Sequence, residues 1–372
     1  MKKICIIMAL LMGLMSLGAC TSKPVSKNET NTNQETKDTE ETKNDTQKTE
    51  ETKTEEKSQE DVVAKSRIVN LSPPIYSMLC AMDLAEKVVG TTPMSINGAN
   101  KALLEKIHPG FSSVETGFMN ADHKVNRESL LNLQPDIVLY YGKFQDDGIT
   151  ELQIPAENMA YKALDPEAIT IFWEDKLAQI LGVENTHKME HAWKKTHERI
   201  DPLKYDGTTK ALYIFSNMKG LFVSGKNSYG DAFLQMIGLH NVAGETDGFK
   251  EGAGQVKVSM EQINQWNPDV IFVGVGASAK DMLENKVPNQ NWENISAVKN
   301  GKVFDIPKGV FPWHVPNSDS PLMPLWMLHS LDDSKIGADE FHQWMMDFYK
   351  EMYDITLDEA LMETILHPKS MK

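Results

Sequence analysis

One short stretch of the chain has the residue types and spacing of a metal-dependent hydrolase. His187, Glu190 and His191 fit the pattern H-x-x-E-H, in which the two histidines would bind zinc and the glutamate would serve the hydrolysis. In the helix predicted here, however, Met189 and Trp193 define the apolar face, and both histidines lie roughly opposite it, beside three lysines. A solvated helix face fits this pattern, and a zinc-dependent hydrolase is kept as an alternative function.

A second stretch has the glycine spacing of a dinucleotide-binding loop. Residues 274–279 approximate G-x-G-x-x-A after a predicted strand. The nucleotide fingerprint also needs an acidic residue about 20 residues further on, at the end of another strand. Glu293 has this distance but does not follow a strand, so we interpret the loop as a turn of close backbone approach. With no G-x-S-x-G or paired-cysteine motif present, we expect no enzyme and no cofactor.

The elements that position these loops are set by two stretches of similar sequence. Residues 125–139 and 258–272 both read as Val, two residues, Glu, an apolar helical turn, Pro-Asp and an apolar run, and they begin 133 residues apart. Asn126 and Ser259 are favourable N-caps, and the proline ends each helix before a buried strand. Two such units in matching register predict two similar α/β lobes in one chain.

The chain after residue 65 divides into lobes and helical regions. Strands alternate with helices, which predicts mostly parallel sheets covered by helices. We assign residues 66–165 to an N-terminal lobe, 166–205 to an interlobe helix region, 206–325 to a C-terminal lobe and 326–372 to C-terminal helices. The fold class is therefore α/β, with two Rossmann-like lobes joined by one long α-helix.

The N-terminus indicates export and anchoring. Residues 1–20 combine lysines, an apolar run and the sequence Leu-Gly-Ala-Cys, as in a secretory signal peptide that resembles the lipobox of bacterial lipoproteins. The resemblance implies that Cys20 carries lipid, which would anchor the protein to the extracytoplasmic face of the cell membrane. Residues 21–65 are polar without aromatics and are expected to form a disordered tether. The net charge of −15 argues against nucleic-acid binding.

These features together resemble one family. The lipobox, the paired Pro-Asp units, the linking helical region and residues 309–326 are similar to class III substrate-binding lipoproteins of ABC importers. The resemblance implies a monomer that binds an iron or metal chelate (siderophore, haem or corrinoid) in a shallow cleft between its lobes. Its partners would be an ABC permease dimer with its ATPase. A surface receptor of the same fold without a transport role is the other alternative.

The predicted cleft loops supply the candidate ligand-binding residues. Ligands of open α/β sheets bind outside the carboxyl ends of the strands, which selects loops 73–76, 140–144, 216–219, 274–278 and 308–315. Aromatic side chains suit a chelate because they bury a large area with few rotatable bonds. The ligand-binding candidates are Tyr76, Tyr140, Tyr141, Trp313 and His314.

Two glutamates occupy matching places in the repeated units. In the family, a glutamate at the position of Glu128 or Glu261 lies on the outer surface of its lobe and engages an arginine of the permease dimer. Each also sits in the first turn of its predicted helix, where a negative charge is favourable. The two roles are compatible, and we expect both residues to dock the permease.

Positive charge is scarce in the predicted cleft. The chain has three arginines, and none lies in a cleft loop. Lys143, Lys219 and Lys308 could replace them with less geometric specificity. This scarcity argues against a strongly anionic siderophore and leaves neutral chelates, haem, corrinoids or a metal oxyanion open.

Overall fold

The computed structural model describes residues 66–120, 124–142, 145, 148–162, 164–244 and 254–369. The predicted signal peptide, the predicted lipidation site Cys20, the predicted tether and Lys143 all lie outside these residues. Within the described part, none of the helices combines the length and apolar character needed to span a membrane.

Ten strands and thirteen α-helices are assigned within the described residues. The strands are β1 Ile68–Asn70, β2 Val88–Thr91, β3 Ile137–Tyr140, β4 Ala156–Asn158, β5 Lys210–Ser216, β6 Leu221–Ser224, β7 His240–Asn241, β8 Gln255–Val258, β9 Val270–Val275 and β10 Val303–Asp305. The helices are α1 Pro73–Ala81, α2 Pro93–Asn97, α3 Lys101–Ile107, α4 Arg127–Asn132, α5 Pro166–Leu181, α6 Lys188–Ile200, α7 Tyr229–Met236, α8 Met260–Trp266, α9 Ala279–Leu283, α10 Ser296–Lys299, α11 Leu322–Leu331, α12 Ala338–Tyr353 and α13 Glu359–Leu366.

Two separate sheets confirm the predicted α/β fold class. The first has the order β2-β1-β3-β4, and all of its pairings are parallel. The second has the order β10-β9-β5-β6-β8, with β7 pairing on β5. In it β5, β7, β9 and β10 are parallel, whereas β6 and β8 run antiparallel to their neighbours. The sheets are mostly parallel, and each is covered by helices.

The repeated Pro-Asp pairs have a structural role that sequence reasoning missed. The carboxylate of Asp136 accepts hydrogen bonds from the backbone amides of Ser66 and Arg67, both at 2.9 Å, at the start of β1. In the second lobe the Asp269 carboxylate accepts from the amide of Lys210, at 3.0 Å, at the start of β5. Each aspartate therefore ties the strand that it precedes to the neighbouring parallel strand, in the same way in both lobes.

The connection between the lobes differs from the single long helix that the sequence predicts. It consists of α5 and α6, which pack against each other. Gly182 ends α5 in the left-handed conformation, with φ of 65°, a conformation that glycine adopts without steric cost. The buried Glu174 then accepts hydrogen bonds from the amides of Lys188 and Met189, both at 2.8 Å, at the start of α6. The chain therefore turns at Gly182 instead of continuing as one rod.

A continuous hydrophobic core joins the two lobes. It contains Trp173 and Trp193 of the connecting helices, Tyr76 of the first lobe and Phe272 of the second, together with side chains of α11, α12 and α13. The opposite face of each sheet has its own smaller core. Because interiors of this kind are close-packed, the shared core favours small relative movements of the lobes.

Candidate functional site

A cluster of apolar side chains bridges the two lobes at the carboxyl ends of their strands. Phe215 is the second-last residue of β5. Phe311 and Val315 belong to residues 309–315, the cleft segment, which follows β10. These three buried residues pack together with Met94 of α2, which follows β2 in the first lobe. The carboxyl ends of both sheets therefore meet at a buried cluster of apolar and aromatic side chains.

The imidazole of His314 lies beside this cluster. Its ring lies edge-on to Phe215, with 5.0 Å between the ring centroids. The side chain is buried, and Nε2 has no hydrogen-bond partner among the described residues. Burial, with a smaller contribution from Lys369, lowers the pKa of His314 to about 3. The imidazole is therefore neutral at physiological pH, and its Nε2 makes no hydrogen bond to the described residues.

Trp313, next to His314, is fully buried in this structure. Its exposed fraction is 0%, and its Nε1–H donates to Oδ2 of Asp319 at 3.3 Å. Direct contact with a ligand would require the cleft segment to move. Its ligand-binding role stays a prediction, and its observed role is to hold the cleft segment.

The two tyrosines after β3 differ in their surroundings. Tyr140 is buried in the core on one face of the first sheet. Tyr141 is only partly buried and packs edge-on against Trp173 at 6.4 Å between centroids. Its hydroxyl pairs with that of Tyr229 in α7. Burial raises the pKa of Tyr141. Of the two, Tyr141 is the one that contacts the second lobe, and both ligand-binding roles stay predictions.

Tyr76 lies inside the first lobe. Its exposed fraction is 1%, and its hydroxyl is 2.7 Å from Nδ1 of the buried His108. Burial raises the pKa of Tyr76 and lowers that of His108. This pair joins α1 to the end of α3, and the ligand-binding role of Tyr76 also stays a prediction.

An open depression of about 870 Å³ lies at the carboxyl edge of the second sheet. Its walls include Met218 and Lys219 after β5, Gly276 after β9 and Met260 at the start of α8. Gly276 has φ of 117°, and a Cβ there would be 2.0 Å from Oδ1 of Asn217. The glycine-rich loop is thus the turn of close backbone approach that the sequence predicts.

Two lysines provide positive charge along this edge. Lys219 lines the depression. Lys308 precedes the cleft segment and is partly buried, and burial, followed by the nearby Lys101, lowers its pKa. Lys101 and Lys308 are brought close to each other because the amide of Asn100 donates to the carbonyl of Gly309 at 2.9 Å. Positive charge is therefore available where the lobes meet, although arginine is absent there.

Glu128 and Glu261 are exposed in the first turns of α4 and α8. The predicted N-caps are confirmed, because Asn126 accepts from the amide of Ser129 at 2.9 Å and Ser259 from that of Gln262 at 3.2 Å. Met260, beside Glu261, lines the depression at the end of β9. Glu261 therefore flanks the carboxyl edge of the second sheet. Glu128 has the corresponding position in the first lobe, because α4 precedes β3 as α8 precedes β9.

The zinc-like motif does not form a metal site. His187 has φ of 52° and lies before α6, so it does not share a helix face with His191. Its Nδ1 is 3.5 Å from Glu190, and both side chains are more than half exposed. Within the described part of the chain, no group of three or more His, Cys, Asp or Glu side chains is arranged to hold a metal ion. The predicted apolar face is confirmed, since Met189 and Trp193 are buried.

The cluster that bridges the lobes was only partly visible in the sequence. Phe311 and Val315 lie in a predicted cleft loop, whereas Met94, Phe215 and Asp319 do not. Met94 follows the carboxyl end of β2, so the position of this strand is the signal that could identify it. Phe215 is the second-last residue of β5, and nothing local marks Asp319 as the partner of Trp313.

Comparison with known proteins gives consistent matches along the folded part of the chain. A family model described as periplasmic binding protein matches residues 68–310. The molybdate-binding protein MolA of Haemophilus influenzae is 25% identical over 323 residues, which cover 77% of this chain and 86% of MolA. The Fe(3+)-citrate-binding protein YfmC of Bacillus subtilis is 23% identical and covers 58% of this chain and 67% of its own length.

Solved structures show the same architecture. A periplasmic solute binding protein from Veillonella parvula is 27% identical, with a TM-score of 0.68 over 81% of this chain and 92% of that chain. MolA bound to molybdate has a TM-score of 0.63 over 79% of this chain and 94% of its own, at 20% identity. At 20% identity, the similarity to MolA in this comparison shows a shared fold.

Proposed function

The chain belongs to the periplasmic binding protein family, the extracytoplasmic substrate-binding proteins of ABC importers, and we propose that its substrate is a metal chelate. Members of this family bind and deliver substrates and are not enzymes, and this chain shares that role. The zinc-dependent hydrolase is therefore not the function of the protein. The proposed substrate class comprises siderophores, haem and corrinoids, with iron as the metal most in keeping with the relatives.

The bridging cluster is the observation that carries this proposal. Phe215, Phe311 and Met94 form an apolar and aromatic cluster where the two lobes meet, and His314 lies beside them with an Nε2 that has no hydrogen-bond partner among the described residues. Phe215, Phe311 and His314 are buried in this conformation, so their contact with a ligand, like that of Trp313, requires the cleft segment to move. Such a surface can bury the organic part of a chelate, and a neutral imidazole can bind a metal or a polar group of the ligand. The named relatives bind molybdate, Fe(3+)-citrate and, for FhuD of Bacillus subtilis, iron(3+)-hydroxamate, all of which contain a metal.

Ligand titration tests the substrate class. The full-length protein is titrated with ferric citrate, a ferric hydroxamate, haemin, cyanocobalamin and molybdate, and binding is followed by tryptophan fluorescence and calorimetry. We expect one of these probes to bind, and we expect Phe311→Ala to weaken that binding by about tenfold or more, since truncating a buried aromatic contact costs over 1 kcal/mol. Phe348→Ala is the control, because Phe348 lines a groove beside α6, outside the bridging cluster.

Two outcomes would contradict the proposal. Failure of all four chelates to bind, or binding of molybdate alone, would contradict the proposed substrate class. Equal affinities of the Phe311→Ala variant and the wild type would place the ligand elsewhere on the molecule.

Delivery to a permease dimer is the second part of the proposal, with Glu128 and Glu261 as the docking residues. Their exposure, and the position of α8 beside the cleft edge, support contact with a partner that receives the ligand. Charge reversal of both glutamates to lysine should abolish uptake in cells while ligand affinity in solution stays unchanged. Glu184→Lys, at an exposed site between α5 and α6, is the matched control. Normal uptake by the double variant would show that these two glutamates do not dock the permease, whereas uptake that persists in cells lacking the protein would favour a receptor of the same fold that does not transport.

Anchoring by lipid on Cys20 completes the proposed function. A Cys20→Ser variant should be released from the membrane fraction while still binding ligand, because the anchor and the ligand site are separate. A variant that stays in the membrane fraction would show that Cys20 is not the anchor.

A further inference from the structure

A buried carboxylate lies directly behind the cleft segment. Asp319 has an exposed fraction of 0%. Its Oδ2 accepts hydrogen bonds from the backbone amide of Val310 at 2.9 Å and from Nε1 of Trp313 at 3.3 Å. Its Oδ1 accepts from the hydroxyl of Tyr353 at 2.6 Å. A single side chain thus connects the cleft segment to α12, one of the helices that follow the last strand of the chain.

The absence of a side chain at Gly309 lets the carboxylate of Asp319 approach the backbone there. A Cβ on Gly309 would be 1.9 Å from Oδ2 of Asp319 and 2.4 Å from the hydroxyl of Tyr349, so a side chain cannot occupy this position without displacing the carboxylate. The residue before Asp319, Ser318, has its hydroxyl 2.6 Å from that of Tyr353. Its amide donates to Oγ of Ser77 in α1 at 3.1 Å. Asp319 is therefore fixed from both the first lobe and α12.

Burying a carboxylate is costly unless several donors compensate it. The donors that do so here are two groups of the cleft segment and one of α12, so the carboxylate is stable only while the segment keeps this conformation. Phe311 lies between Val310 and Trp313, which bind Asp319, and His314 follows Trp313. Phe311 packs with Phe215 and Met94, and the ring of His314 contacts Phe215.

We propose that Asp319 is a positioning residue for ligand binding, which orders the cleft segment that carries Phe311 and His314 before the ligand arrives. The inference rests on the proposed function, in which these two side chains contact the ligand. Ordering a loop in advance removes an entropy cost from binding. Losing Asp319 should therefore weaken binding although Asp319 does not touch the ligand.

The test compares Asp319→Ala, Asp319→Asn and Glu174→Ala in the full-length protein. Glu174 is the matched control, since it is also a buried carboxylate that accepts from backbone amides, but it does so at the start of α6. Hydrogen exchange of the peptide spanning residues 308–317 measures segment order. Titration with ferric citrate and with molybdate measures affinity.

We expect Asp319→Ala to accelerate exchange of the Val310 amide by about tenfold or more and to weaken probe binding by a similar factor, the effect of losing hydrogen bonds to a charged acceptor. Asp319→Asn should largely restore both, because the amide oxygen can accept from Val310 and Trp313 while its NH2 donates to the Tyr353 hydroxyl. Glu174→Ala should lower stability without either effect.

Unchanged exchange and affinity in a folded Asp319→Ala protein would overturn the inference, as would equal effects of Glu174→Ala at equal stability. If Asp319→Ala does not fold, Tyr353→Phe, which removes one donor, is compared with the wild type by the same exchange measurement; faster exchange supports the inference and unchanged exchange overturns it. If the wild type binds neither probe, the proposed function fails for these ligands, and the exchange comparison still decides whether Asp319 orders the segment.

Discussion

Replacing His314 with methionine should make the protein less sensitive to acid. The folded state holds this imidazole neutral, with its pKa lowered from 6.5 to about 3 mainly by burial. The unfolded chain binds a proton at His314 below about pH 6.5, whereas the folded chain does not. Stability is therefore fully present above this pH and is lost as the pH falls toward 3. Methionine has a similar size, adapts to an apolar site and does not titrate.

The magnitude follows from the two pKa values. Between about pH 7.5 and pH 4.5, His314 should cost roughly 2–3 kcal/mol of unfolding free energy, since a pKa difference of one unit corresponds to about 1.4 kcal/mol. Asp319 acts in the opposite direction, because burial raises its pKa from 3.8 to about 6. The folded chain then binds the proton first, and stability rises by about 2 kcal/mol as the pH falls over the same interval. The two contributions nearly cancel in the wild type.

Urea unfolding at the two pH values separates these contributions. His314→Met should lose roughly 2–3 kcal/mol less than the wild type on acidification, and Asp319→Asn about 2 kcal/mol more. The double variant should return close to the wild-type pH dependence. A change of less than about 0.5 kcal/mol in the pH dependence of His314→Met would refute the reasoning, because a buried neutral histidine must contribute more than that.

Three further predictions concern single contacts. Lys308→Gln should weaken binding of an anionic chelate such as ferric citrate several-fold without affecting a neutral corrinoid, measured by calorimetry, and equal effects on both would contradict a charge role. Lys188→Met should lower the unfolding free energy by about 1–3 kcal/mol, since Nζ donates to the carbonyls of Ala81 and Met352 at 2.8 and 2.9 Å; an unchanged urea midpoint would show that these bonds contribute nothing. Asp136→Ala should cost about 1 kcal/mol and speed amide exchange at the start of β1, whereas unaltered exchange there would rule out the tie between strands.

The predictions that the structure confirms depend on local sequence. The N-caps Asn126 and Ser259, the buried face of α6 and the close approach at Gly276 each follow from residues within a few positions of one another. Backbone conformation and helix periodicity are set mainly over that range. The duplication adds information of the same kind, because a local pattern that occurs twice predicts two similar units.

The break between α5 and α6 shows where local reasoning begins to fail. Gly182 interrupts the helical periodicity, but a glycine inside a helical pattern can be either tolerated or terminal. Glu174 decides the outcome, because its carboxylate accepts the amides of Lys188 and Met189 and so begins a second helix. That contact also removes His187 from α6 and with it the zinc-like spacing.

From the sequence alone came the two α/β lobes, the strand ends at which a ligand would bind, and the glutamates in matching helix turns. Only the tertiary structure placed Met94 against Phe311, left Nε2 of His314 without a partner among the described residues, and brought Asp319 to Trp313 and Tyr353. The physical reason is that local conformation depends on neighbouring residues in the chain, whereas these contacts depend on how distant elements pack and on which buried polar groups that packing leaves to be satisfied.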